Sequence, residues 1–306
     1  VQRVVQVWGL LHRGQGGRID IEALLLLVPG LLPILVFVYW PLLYNLWLSL
    51  HDWNLVRSEA VFVGLANYHF LLQDPLFGQV LRQSLLYMGL ALLGNFLLPL
   101  VLALLTLQVR GRWAELYQAL LFAPTVAAVS VAALVWLYLY LPAAGPLAKL
   151  LATLGLPAPN FLTDPRYALL ATALVANWKF MGFHYLIALA GLKAIPRDVL
   201  EAARVDGAHG WPFLWLVLFP LLFPTLLFLL LSTLANALDY AFVPVEVMTQ
   251  GGPFGHTSHL MYAVYQEAFR FFRAGVAAAQ AVLLTLGFGT IILGQLYLLG
   301  RRYASP

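Results

Sequence analysis

Six apolar runs constrain this chain more than any other feature. They lie around residues 22–48, 85–108, 117–141, 168–192, 212–237 and 276–300, each near the length a bilayer demands. Hydrocarbon offers backbone polar groups no partner, so a spanning segment closes its hydrogen bonds internally, as a helix does. The runs therefore predict six membrane helices in an all-α, polytopic protein. Composition agrees, with 62% of residues hydrophobic and 10% charged against about 25% charged in soluble domains. A soluble globule is excluded. Pro29, Pro33 and Pro41 interrupt the first run, and Pro220 and Pro224 predict a kink in the fifth. The first run lacks a small-residue cleavage site and outlasts a signal-peptide core, so it reads as a retained anchor. Residues 1–20 read as a separate N-terminal cytoplasmic segment, with Val4, Val7, Trp8 and Leu11 on one helical face. Residues 21–306 form the spanning domain.

Six spans put both termini on one side, and basic residues choose which. The face with the termini and the loops at 109–116 and 193–211 holds Arg3, Arg13, Arg18, Arg110, Arg112, Lys193, Arg197, Arg204, Arg301 and Arg302. The other face holds Arg57, Arg82, Lys149, Arg166, Arg270 and Arg273. Ten against six places both termini in the cytoplasm. The net charge of +4 follows from that bias and needs no nucleic acid. Cysteine is absent, so the redox compartment is unreadable.

The loop at 193–211 is charged and helix-competent. Pro196 suits a first turn, Asp198 and Glu201 sit toward the positive end of the dipole, and Arg204 sits toward the negative end. Gly207 is a natural stop. Val199, Ala202, Ala203 and Asp206 recur at helical spacing, offering a small-residue face to a partner. On pattern alone, an interfacial helix lying on lipid fits as well.

The run Glu201-Ala202-Ala203, Gly207, then Val217-Leu218-Phe219-Pro220 resembles the signature loop of permease subunits of binding-protein-dependent ABC importers. Phe219 stands where that family usually has Leu. Similar pieces follow the family's order: Tyr39-Trp40-Pro41 with Ser49-Leu50, Phe62 to Tyr68, Phe122-Ala123-Pro124, Trp178-Lys179, Gly191-Leu192 with Ile195-Pro196, and Met248 to Pro253 with Thr257, Tyr265, Phe269 and Gly275. The carbohydrate-type branch is most similar, covering sugars, oligosaccharides and sn-glycerol-3-phosphate. The resemblance implies the type I importer permease fold and a cytoplasmic coupling helix that docks in a cleft of an ATP-hydrolysing subunit. It assigns that docking to Arg197, Asp198, Glu201, Ala202, Ala203, Asp206 and Gly207, with Glu201 orienting the loop through hydrogen bonds. The implied partners are a second homologous permease, two ATP-binding subunits carrying ATP and Mg, and an extracytoplasmic solute-binding protein. The implied location is the inner (plasma) membrane of a bacterial or archaeal cell.

The sequence holds no Gly-x4-Gly-Lys-Ser/Thr loop, no His-Glu-x-x-His and no Gly-x-Ser-x-Gly. No enzyme activity and no cofactor of its own are expected. The histidines are scattered, and the pair His256 and His259 lacks nearby acids for a metal site. Transport energy then comes from partner ATPases or, alternatively, from an ion gradient. A gradient-driven transporter usually shows internal repeats, and none stands out here. An intramembrane hydrolase would need a positioned nucleophile and base, and Ser232 and His184 fall on different runs.

Polar residues inside spans point to a pathway. Asn177, Lys179 and His184 fall in the fourth run, with Lys179 about 160° around the helix from Asn177. Lys179 reads as a cationic point on the path, or as a side chain that snorkels or pairs with a partner. Ser232, Asn236, Asp239 and Tyr240 form a polar stripe, facing either the substrate path or a subunit interface. Gly251, Gly252 and Pro253 mark a turn that either touches the binding protein or simply connects two spans.

Overall fold

The computed structural model describes residues 21–142 and 144–303; the surface helix expected within residues 1–20 lies outside them. The chain opens with α1 (Leu26–Leu48), the hairpin β1 (His51–Asp52) and β2 (Val61–Phe62), and α2 (Ala66–Gln73). α3 (Pro75–Thr106) follows, then α4 (Arg112–Val126), α5 (Val129–Leu139) and α6 (Pro146–Thr153). The remaining helices are α7 (Ala168–Lys193), α8 (Arg197–Val205), α9 (Gly210–Met248), α10 (Leu260–Tyr265) and α11 (Ala274–Tyr303). Among the described residues, α1, α3, α7, α9 and α11 are each long and apolar enough to cross a membrane. α4 and α5 pass the same test only as a bent pair, which brings the spans to as many as six.

That third span departs from expectation. It is not one straight helix over 117–141: α4 and α5 meet at a 98° bend. Ala127 and Ala128 are extended there, and Pro124 has already removed one backbone donor from the last turn of α4. Two other boundaries shift. α3 starts at Pro75 rather than near residue 85, and α9 runs on to Met248, so the whole polar stripe lies inside it.

The fifth span carries its prolines inside a continuous helix, with one widened turn ahead of Pro220. π-helical turns at Leu35–Tyr39, Leu92–Leu97 and Phe213–Leu218 each lead directly into a proline: Pro41, Pro99 and Pro220. The residue before each proline donates five residues back, Trp40 to Leu35, Leu98 to Leu93 and Phe219 to Leu214. Widening the turn makes room for a ring that would collide with the carbonyl of an ordinary α-turn. The helix survives its proline.

α7 is the hub, packed against α3, α4 and α9. Half of its most apolar window is buried within the chain, against none of the window in α1. Three hydrogen bonds between side chains stitch α3 to α7: Tyr87 to Thr172 at 2.6 Å, Asn95 to Asn177 at 2.8 Å and Thr106 to Tyr185 at 2.8 Å. Both residue numbers rise together, so the two helices run parallel. Such interhelical bonds contribute about 0.6 kcal/mol each in apolar surroundings. One apolar cluster, with Tyr185, Leu189 and Leu222, fills the end near α8. Another, with Leu71, Tyr87, Val245 and Tyr262, fills the opposite end.

Candidate functional site

α8 stands out from the body. None of its residues is buried; only Leu200 and Ala203 are partly covered, and Leu200 packs on the neighbouring apolar cluster. Ala203 therefore turns inward, away from the face expected to include Val199, Ala202 and Asp206, which are exposed. The helix ends in a Schellman motif. Ala208 N–H donates to Ala203 O at 3.0 Å, and Gly207 N–H to Arg204 O at 3.1 Å. Gly207 supplies the left-handed residue this closure requires, at φ +85°. Arg204 lies over the Phe213 ring at 5.9 Å. Among the described residues, the side chains of Arg197, Asp198, Glu201 and Asp206 have no hydrogen-bond or ion-pair partner, so the hydrogen bonds expected to orient the loop through Glu201 are not made within them.

The polar residues of the spans divide into two groups. Asn177 and Lys179 are engaged in holding helices together. Asn177 donates to Leu90 O at 3.0 Å and accepts from Asn95, where Gly94 leaves room for its side chain. Lys179 is 5% exposed and donates from Nζ to Thr125 O at 2.8 Å, while Thr125 Oγ1 donates back to Lys179 O at 3.2 Å. Its ammonium thus meets a carbonyl in the last turn of α4, the negative end of that helix dipole. The cation sits beside the break between α4 and α5.

His184 and the α9 stripe form the second group. His184 is fully buried; Nδ1 faces Phe180 O at 3.1 Å and Nε2 lies 3.4 Å from Ser232 Oγ. The structure thus brings together two residues that the sequence leaves on separate spans, though at a distance long for such a bond. Among the described residues, no carboxylate orients the imidazole. Tyr240 stacks on Phe180 with centroids 3.6 Å apart and planes 8° apart. Asn236 turns back to Ser232 O at 2.8 Å. Asp239 is exposed and has no partner among the described residues. An exposed carboxylate inside an apolar span is costly against lipid, so this face of α9 calls for water or another protein.

At the far end of α9, the Gly-Gly-Pro turn is bound up in its own support. Gly252 N–H donates to Thr249 O at 2.9 Å, Thr257 Oγ1 donates to Gly252 O at 2.8 Å, and the Thr249 and Thr257 hydroxyls meet at 2.7 Å. Gly251 has φ +85° and is buried, where any Cβ would press on the Tyr262 ring. Tyr262 OH donates to Glu246 at 2.6 Å, and Arg270 donates to the same carboxylate at 2.8 Å. Burial pushes the His259 imidazole beside this turn down to about 3, so it is neutral at ordinary pH. Phe254, which sequence reading passed over, is 85% exposed here, a large apolar ring in the open. Of the signature residues near this end, Asn67 donates to Ser49 O and His51 O, and Gly275 lets α11 approach the His51 carbonyl without a side chain between them.

Comparison with known proteins agrees with this architecture. The family described as "Binding-protein-dependent transport system inner membrane component" matches residues 112–305. A probable ABC transporter permease protein of Pyrococcus horikoshii is 33% identical over 276 residues, spanning 90% of this chain and 94% of that protein. An sn-glycerol-3-phosphate transport system permease protein of Agrobacterium fabrum is 34% identical over 261 residues, spanning 85% and 88%. A solved bacterial ABC transporter involved in import of the acidic polysaccharide alginate has a chain with the same fold, at TM-score 0.78 and 23% identity, covering 97% of this chain and 99% of that one.

Proposed function

Because the chain belongs to the family of binding-protein-dependent transport system inner membrane components, we propose that it works as one of two permeases in a carbohydrate-type ABC importer, coupled to separate ATPases through α8. The observation that carries this reading is the capped, solvent-exposed α8 with the side chains of Arg197, Asp198 and Glu201 unpartnered. A helix so finished at its end, yet offering Arg197, Asp198, Glu201, Ala202 and Asp206 outward, is built to seat in another protein. Gly207 shapes its end, and Leu200 and Ala203 transmit its movement to the body. The loop at 193–211 and both termini then face the cytoplasm, as the basic-residue bias requires.

The substrate path in this reading runs along His184, Ser232, Asn236, Asp239 and Tyr240, closed on its other side by the second permease. Asn177 and Lys179 contribute by fixing the walls. At the outer end, Gly251, Gly252 and Pro253 support a surface that meets the solute-binding protein, with Phe254 at its tip. A solved alginate transporter of this fold is in complex with an alginate pentasaccharide-bound periplasmic protein. ATP and Mg belong to the partner ATPases.

The absence of cysteine makes the test clean. An Ala202→Cys variant, in an importer whose ATPase carries one cysteine in its docking cleft, should cross-link to that subunit and react with thiol reagents only from the cytoplasmic side. Labelling from outside, or no cross-link in an intact assembly, refutes the docking assignment.

A further inference from the structure

A cavity of about 600 Å³ opens at the outer end, between the start of α3, the turn after α9, α10 and the first turns of α11. We propose that it is an outer subsite for a neutral sugar unit, receiving solute before the path within the membrane. The proposal rests on the importer reading above and adds the place and the charge class of the ligand.

Unpartnered amides carry it first. Gln280 is 4% exposed, lines the cavity, and its Oε1 has no hydrogen-bond partner. A buried amide oxygen left unpaired costs about 1–3 kcal/mol, so an arriving hydroxyl donor there restores what folding removed. Gln250 and Gln266 also line the cavity, and their side-chain amides have no partner among the described residues. Each amide both donates and accepts, which matches a hydroxyl's own capacity. Phe77 and Phe271 line the same space, offering apolar surface to the C–H face of a pyranose.

Charge then selects the class. The single cation of the lining, Arg273, is engaged by Glu267, with Nε to Oε2 at 2.7 Å and Nη2 to Oε1 at 2.8 Å. Asp74 adds a second carboxylate, already accepting from Leu76 N–H at 2.9 Å. The lining therefore carries a net charge of −1, and a phosphate or uronate would meet repulsion with no free cation to offset it. The rim is preset: Gln250 and Phe254 hold left-handed backbone at φ +52° and +49°. Such conformations persist only where the surroundings enforce them.

The test is saturation-transfer NMR on the assembled importer in nanodiscs, without binding protein. The probes are a panel of neutral mono- and disaccharides, with sn-glycerol 3-phosphate and glucuronate as competitors. At least one neutral sugar should give a signal that falls about tenfold in Gln280→Leu and in Leu76→Trp, the latter a change at an exposed rim residue that fills the mouth without touching a buried group. Neither anion should compete. No signal from any neutral sugar, competition by either anion, a signal unchanged in both variants, or a loss of binding-protein affinity with sugar saturation intact overturns the subsite. The Ala202→Cys cross-link, read on the same preparation, keeps the two readings separate. If it forms while no sugar binds, the subsite alone fails; if it is absent, the importer reading fails.

Discussion

α8 and the Gly-Gly-Pro turn adjoin opposite ends of α9, and both are motif-bearing loops, yet they treat their polar groups in opposite ways. In α8 the backbone is closed by its Schellman motif, while the side chains of Arg197, Asp198 and Glu201 reach into solvent unpaired. In the turn, the hydroxyls of Thr249 and Thr257 and the carboxylate of Glu246 are all engaged within the chain. The first pattern leaves side chains open to solvent, as the proposed docking needs. The second uses them to hold a backbone shape, which in turn presents Phe254 and walls the outer cavity. A motif can be maintained for what it touches or for what it props up, and hydrogen-bond bookkeeping separates the two.

Gly207→Val should give the largest effect on function and break this contrast if it fails. Nothing lies within 4 Å of a Cβ at Gly207, so its strain is conformational, about 1–2 kcal/mol for a left-handed residue. ATP-driven uptake should drop roughly tenfold or more while the melting temperature of the assembly changes little. Normal uptake in this variant would rule out a docking role for the α8 end. Thr257→Val should do the reverse. It strips Gly252 O and the Thr249 hydroxyl of a buried partner, costing about 1–3 kcal/mol of stability, read as a lower unfolding temperature with the ratio of ATP hydrolysed to solute moved unaltered. A changed ratio would mean that the turn also takes part in coupling.

The smallest effect concerns Asp164, near the same outer end as the turn. Hydrogen bonds from the Arg166 side chain and backbone hold its carboxyl down at about 2. A lowered folded value stabilises above the ordinary carboxylate range and loses that contribution as pH falls through about 2. Thermal unfolding followed between pH 4 and pH 2 should show a slight acid-dependent decline in the parent chain that Asp164→Asn lacks. Arg166 is exposed and Asp164 half-buried at the surface, so solvent screens the pair and the effect is small. An identical decline in both proteins would show that the pair adds nothing to the fold.

Much of the site was legible in advance, for reasons tied to particular residues. Gly207 was readable as a helix stop because a left-handed residue leaves a compositional trace. The α9 stripe was readable because polar residues in an apolar run repeat at helical spacing. The role of Lys179 was not, because its partner is a backbone carbonyl 54 positions away, and carbonyls are invisible to residue patterns. Gln280 carried a weak signal as the lone amide in a run of small apolar residues. Its partners in the cavity come from α3, the turn and α10, and no spacing rule connects them.

Taken alone, the chain's order of residues determined that it crosses the membrane repeatedly, in five to six apolar spans, and that the charged loop closes on its own cap. These follow from the bilayer's thickness and from local capping, and both act within a few turns of chain. Tertiary structure alone decided that the third span breaks at Ala127 and Ala128, that Lys179 closes a helix end, and that three unpartnered glutamines share one cavity. Those outcomes depend on which distant groups satisfy one another once water is gone, and that is settled only when the helices have packed.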